Sequence, residues 1–125
     1  MRRVLALALF ALLATLRPAL AVTIDRVVSP GGVEAWLVQD HSNPILAVEV
    51  AFRGGAALDP EGRSGLATMT AALLDEGAGP HESQAFQTLL EDNVIRLGFA
   101  AGRDSLRGSL RSLTRHRDLA FDLFR

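Results

Sequence analysis

Ala47-Val48-Glu49-Val50-Ala51-Phe52-Arg53-Gly54-Gly55-Ala56, continued by Asp59-Pro60, by Gly65-Leu66-Ala67 and by Leu73-Leu74-Asp75-Glu76-Gly77-Ala78-Gly79, is the stretch that decides the fold. Ile45 to Phe52 is nearly apolar on both faces, which predicts a strand central in its sheet. Gly54 to Ser64 is a Gly-rich loop, with Asp59-Pro60-Glu61-Gly62 as its turn and Gly54-Gly55 as the turn out of the strand. Leu66, Met69, Leu73 and Leu74 then recur at helical spacing and predict a packing stripe, with Gly77 as the stop. The apolar pattern thus changes within one loop from strand to helix.

Working outward toward the N-terminus, Asp40-His41-Ser42-Asn43-Pro44 is a polar loop, and Val33, Ala35 and Leu37 alternate with their neighbours as a second strand. The short loop between this strand and Ile45–Phe52 predicts an antiparallel hairpin of those two. Thr23 to Val28 reads as a first strand, closed by the turn cluster Ser29-Pro30-Gly31-Gly32. Toward the C-terminus, Ser83 is placed to cap a second helix, with Phe86, Leu89, Leu90 and Val94 on one stripe. Ile95 to Ala101 and Asp104 to Leu113 form a further hairpin around Gly102-Arg103, and its second arm has a wet face of Arg107, Ser109 and Arg111. Thr114 is placed to cap a third helix, whose apolar side is Ala120, Leu123 and Phe124. The order βββ-αα-ββ-α predicts an α+β fold: one antiparallel sheet with helices packed on a single face. The third helix reaches Arg125 without a stop signal, so the fold is expected to be incomplete at the C-terminus and the chain a piece of a longer product.

Residues 1–21 are set apart from that fold. Arg2 and Arg3 precede an apolar run from Val4 to Leu16, Pro18 breaks it, and Ala19-Leu20-Ala21 supplies small residues for a signal peptidase. The run, about 13 residues, is short of the roughly 20 that span a bilayer. Export is expected, most simply to a bacterial periplasm, and any membrane contact is through this segment if it stays uncleaved. Residues 22–125 then form one partial domain. Without Arg2, Arg3 and Arg17 the 13 basic residues fall to 10 against 14 acids, a net charge of about −4. That balance, with no basic run, gives nucleic-acid binding no electrostatic footing. The absence of cysteine excludes a disulfide framework, a thiolate metal site and a Cys nucleophile.

The segments quoted at the outset resemble the M16 (insulinase-like) zinc-peptidase family, and the likeness extends from Ser83 to Phe124, with Ala101-Gly102-Arg103-Asp104 in the place of the family's second hairpin. The resemblance implies the M16/LuxS-like metalloenzyme fold. In active members the helix after Gly-Leu-Ala carries His-x-x-Glu-His. Two His four residues apart share a Zn²⁺ on one helical face, and the Glu polarises the metal-bound water. On this chain the two ligand positions fall on Thr68 and Ala72, and the base position on Ala71. Alanine has no donor atom and a lone threonine hydroxyl is a poor zinc ligand, so no cofactor is expected in this chain. By the same resemblance, peptide docks as an added strand near the second hairpin, at Leu97, Gly98, Phe99, Ala100, Ala101, Gly102 and Arg103.

Other constellations compete with that assignment. Asp75, Glu76 and His81 could make a shifted metal site, or be solvated residues near a turn. Ser105 or Ser109 with Asp104 and His116 has triad composition, without a nucleophile-elbow pattern. His41 and His116 are otherwise isolated surface residues, and no Gly-Lys-Ser/Thr follows Gly54-Gly55 to make a phosphate loop. The expected function is a non-catalytic subunit that pairs with a motif-bearing M16 partner in a heterodimer and encloses peptide. The alternatives are an active M16-like peptidase with an atypical metal site, or a peptide-binding scaffold without a peptidase partner.

Overall fold

The computed structural model describes residues 22–125; the expected signal segment, 1–21, lies outside them. The chain divides into two compact units, one up to His41 and one from Ser42 to Arg125.

The first unit contains an antiparallel hairpin of β1 (Asp25–Val28) and β2 (Glu34–Leu37), in the register Asp25↔Leu37 to Val28↔Glu34. Its turn is closed from both ends by Ser29. Its carbonyl accepts from Gly32 N at 2.9 Å, its N–H donates to Val33 O at 2.9 Å and its Oγ accepts from Val33 N at 3.0 Å. Gly32 has φ 81, a left-handed conformation that costs a glycine nothing. Across the strands Arg26 makes a two-pronged ion pair with Glu34, both contacts 2.8 Å, and Trp36 Nε1 donates to the same carboxylate at 3.0 Å. The guanidinium, and secondarily the indole N–H, hold the Glu34 carboxyl below its usual range.

This hairpin corrects one expectation: β2 pairs with β1, not with the third strand. The four-residue turn at Ser29–Gly32 lets β2 fold straight back on β1. The third strand, β3 (Ile45–Arg53), is instead laid along β5 (Ser105–Leu113) over nine register pairs, from Ile45↔Leu113 to Arg53↔Ser105. Pro44 O, just ahead of β3, accepts from Thr114 N at 3.0 Å and continues that ladder. The single sheet expected is therefore two: the hairpin, and a three-stranded antiparallel sheet in the order β3-β5-β4, with β4 at Arg96–Ala101. β3 lies at an edge of the described sheet, and β5 is central. The α+β class stands, with helices α1 (Leu66–Leu73), α2 (Ser83–Asp92) and α3 (Arg117–Phe124).

The core lies between one face of this sheet and α2 and α3. Phe86, Leu90, Ile95, Leu110, Ala120 and Leu123 are buried together, and Val48, Leu97 and Phe124 pack against them. Phe99 stacks on Phe124 with ring centroids 5.6 Å apart. Gly108 makes room for that pair, since a Cβ there would stand 3.1 Å from each ring and 3.0 Å from Val50. The α2 stripe holds through Phe86 and Leu90 but not through Val94, which is 56% exposed with φ 54. Val94 N donates to Glu91 O at 3.1 Å and Ile95 N to Leu90 O at 2.9 Å, the pattern of a helix ended by a left-handed residue. That reversal turns Val94 outward and Ile95 into the core. Two expected caps also move. Glu82, not Ser83, is the N-cap residue of α2, and α3 begins after a 3-10 turn at Thr114–His116, so Thr114 does not cap it.

Candidate functional site

α1, the helix expected to carry the degenerate motif, is positioned by two devices. The first is a splice between loops. Gly54 N donates to Asp104 O at 3.1 Å, Ala56 N to Gly102 O at 3.0 Å and Ala57 N to Arg103 O at 2.8 Å, so the segment leaving β3 is bonded to the β4–β5 turn. Gly55 lies within this splice with extended φ, and a Cβ on it would stand 2.3 Å from Gly102 O. Gly55 is required because no side chain fits between the two backbones, and Gly54 because its φ of 121 suits only glycine. The second device is a cap. The residue that begins α1, Gly65, has no side chain to offer, and Asp59 reaches across the loop to replace it. Asp59 Oδ2 accepts from Gly65 N at 2.7 Å and Oδ1 from Ala67 N at 2.9 Å. The sequence singles out Asp59-Pro60 only as a turn. The absence of Ser, Thr, Asp or Asn at position 65 is the signal that a distant cap was needed.

So held, α1 rests on β4 and on the 3-10 turn Ala56–Leu58. The expected packing stripe is reversed. Leu66, Met69, Leu73 and Leu74 are all exposed, Met69 at 64%, while Ala71 is 2% exposed. A small residue at position 71 permits the close approach to the sheet. Thr68 and Ala72, the two ligand positions, are exposed on the helix, and Ala71, the base position, is closed by packing. One hydroxyl and two methyl groups do not make a zinc donor set, so these residues do not fit the metal of the active family members.

The competing constellations are not assembled. Glu76 Oε2 accepts from Ser83 Oγ at 2.9 Å, the Asp75 carbonyl accepts from Gln87 Nε2 at 2.7 Å, and His81 exchanges backbone bonds with Ala78. Each of the three is thus tied into the α1–α2 connection. Among the described residues no three His, Cys, Asp or Glu side chains are grouped to hold one metal ion. Asp104 and His116 flank opposite ends of the nine-residue β5, roughly 30 Å of strand apart. Ser109 Oγ donates to Gly98 O at 3.3 Å, and His116 Nε2 accepts from Arg115 Nε at 2.9 Å. No triad forms from them. A depression of about 330 Å³ beside α1 is lined by Phe52, Leu58, Leu66, Thr70 and Leu106, and its one carboxylate, Asp59, is the helix cap.

The residues expected to bind peptide separate into two groups. Leu97 to Ala101 lie on β4, which pairs with β5 along one side and has no described strand along the other. Gly102 and Arg103 form the turn, and their carbonyls are engaged by Ala56 and Ala57. Of these residues, those on β4 therefore lie along one of the two edges of the described sheet.

No family model matches the chain. It is 32% identical over 82 residues to a protein of Helicobacter pylori (strain ATCC 700392 / 26695) described as a non-peptidase homolog, YmxG, a match to 66% of this chain and 19% of that protein. Its structure is similar to the crystal structure of a peptidase M16 inactive domain from Pseudomonas fluorescens, with a TM-score of 0.75, 26% identity, and coverage of 82% of this chain and 25% of that one. The chain thus spans about a fifth to a quarter of the length of these relatives. In sequence and in fold the chain is thus similar to non-peptidase and inactive members of the M16 peptidase family, and the sequence given contains no His-x-x-Glu-His.

Proposed function

We propose that this chain is part of a non-catalytic M16 subunit, exported to the periplasm, that pairs with a motif-bearing partner and helps to enclose a peptide. The observation that carries this reading is the state of α1. Its position is maintained by the Asp59 cap and the Gly55 splice, while the base position, Ala71, is packed shut and the ligand positions carry Thr68 and Ala72. Scaffold is retained where chemistry is missing. The relatives described as a non-peptidase homolog and an inactive domain support the same reading. Peptide would bind by adding a strand to β4, where backbone N–H and C=O groups provide affinity without regard to sequence.

Zinc content and peptide cleavage, measured together on the intact protein, test the proposal. The expected result is no stoichiometric zinc and no cleavage of an unstructured peptide by the chain alone, with cleavage appearing when a motif-bearing M16 chain co-purifies with it. Stoichiometric zinc with chelator-sensitive cleavage would overturn the non-catalytic reading. Failure of any motif-bearing chain to associate would leave a peptide-binding scaffold in place of a subunit.

A further inference from the structure

The helix-free face of the three-stranded sheet bears a charge arrangement that the fold does not need. Residues of one face recur every second position, so Arg107, Ser109 and Arg111 of β5 share a face with Arg96, Gly98 and Ala100 of β4. The register sets Arg96 directly opposite Arg111, Gly98 opposite Ser109 and Ala100 opposite Arg107. Like charges facing each other across a ladder are destabilising. The ion pairs among the described residues involve Arg26, Arg103, Arg117 and Arg125, and none involves Arg96, Arg107 or Arg111. All three of these arginines are exposed. The one acid on this face, Glu49, lies on the far strand, level with Ser109.

We propose that this face selects acidic side chains, four residues apart, in a peptide added as a strand along β4. The inference rests on the β4-edge reading above and names the peptide chemistry that edge would prefer. A strand added there lies about 4.8 Å from β4, and its side chains alternate between the two faces. One acidic residue on the open face meets Arg96, with Arg111 directly behind it. Four residues along the same strand, the residue level with Ala100 meets Arg107, because alanine leaves the way from β5 to the edge clear. Between them Gly98 and Ser109 offer no charge, so the residue midway is unconstrained. Guanidinium–carboxylate pairs at these two points are charge-assisted and directional. A polyanion such as nucleic acid is disfavoured by the acidic balance of residues 22–125, 10 Arg against 14 acids, and by the lack of an aromatic on this face. Phe99 points to the other face, stacked on Phe124.

The test uses the intact protein and three fluorescein-labelled nine-residue peptides of alternating Thr and Val. One has Glu in place of two Thr four residues apart, one has Lys at the same two positions, and one is unchanged. The Glu peptide should bind at least about tenfold more tightly than the Thr peptide, and the Lys peptide most weakly, with the Glu advantage shrinking as salt is raised. The double variant Arg96→Gln/Arg107→Gln should erase the Glu advantage while leaving the Thr peptide's affinity unchanged. Arg63→Gln, in the loop before α1, should preserve it. Equal binding of Glu and Thr peptides would overturn the acidic preference and leave the β4-edge reading standing. No binding of any peptide would sink both. Tighter binding of oligothymidylate or of phosphatidylserine vesicles than of the Glu peptide would assign the face to a nucleic acid or a membrane instead.

Discussion

α1 and α2 join the same sheet-based unit by opposite means. α2 does so through large side chains: Phe86 is 0% exposed and, with Leu90, lies against Leu110 of the sheet and Leu123 of α3. α1 does so through backbone and a methyl group: its start is capped by Asp59, its approach depends on Gly55, and only Ala71 is buried. An apolar stripe at helical spacing identifies a face without saying what covers it. The α2 stripe meets a core within the described residues; the α1 stripe, equally regular, does not.

Truncating the larger anchor has the largest expected effect. Phe86→Ala should destabilise the protein by about 3–5 kcal/mol, whereas Leu73→Ala, on the exposed α1 stripe, should change stability by less than about 0.5 kcal/mol. Urea midpoints of the intact protein would decide it, and a large loss from Leu73→Ala would show that the stripe is covered. Gly55→Ala ranks next. The new methyl would lie 2.3 Å from a backbone oxygen, so the splice must open at an expected cost of about 2–3 kcal/mol. Protection of the Ala56 and Ala57 amides in hydrogen exchange should fall with it.

Asp59→Ala should cost about 1 kcal/mol, the value of one lost N-cap, and Asp59→Asn should recover only part of it, because Gly65 N and Ala67 N are accepted by separate carboxylate oxygens and an amide keeps one of the two. Full recovery by Asn would show that one of the two bonds carries the cap. The smallest effect is at the end of α2 and has the opposite sign. Val94→Gly should stabilise by about 0.5–1 kcal/mol, since a β-branched residue at φ 54 is strained and its exposed side chain contributes little packing. Destabilisation instead would mean that the isopropyl group makes a contact worth more than the strain.

Much of the fold was legible because its signals are local. The strand beginning at Ile45, the hairpin around Gly102-Arg103 and the α3 face of Ala120, Leu123 and Phe124 each follow from residues within one element or one turn. Strand pairing was not legible. A short loop suggests that β2 and β3 pair, but nothing in either strand states that β5, far along the chain, offers β3 a longer ladder. The candidate site divides in the same way. That the positions which the resemblance assigns to the zinc motif carry Thr68, Ala71 and Ala72 is a matter of residue identity and can be read directly. The roles of Asp59 and Gly55 depend on partners at Ala67 and Gly102, which the chain brings near only by folding.

The α+β class, the family resemblance, the lack of metal-donor atoms at residues 68, 71 and 72 apart from one hydroxyl, and the alternation that gathers Arg107 and Arg111 on one face of β5 are all written in the residues themselves. Those properties follow from side-chain chemistry and from repeat periods of two and 3.6, which need no distant neighbour. Only the tertiary structure decided that β5 is central, that Ala71 rather than the leucine stripe is buried, and that Arg96 stands opposite Arg111. Those depend on register and on which surfaces meet, and both are set by competition between contacts far apart in the chain.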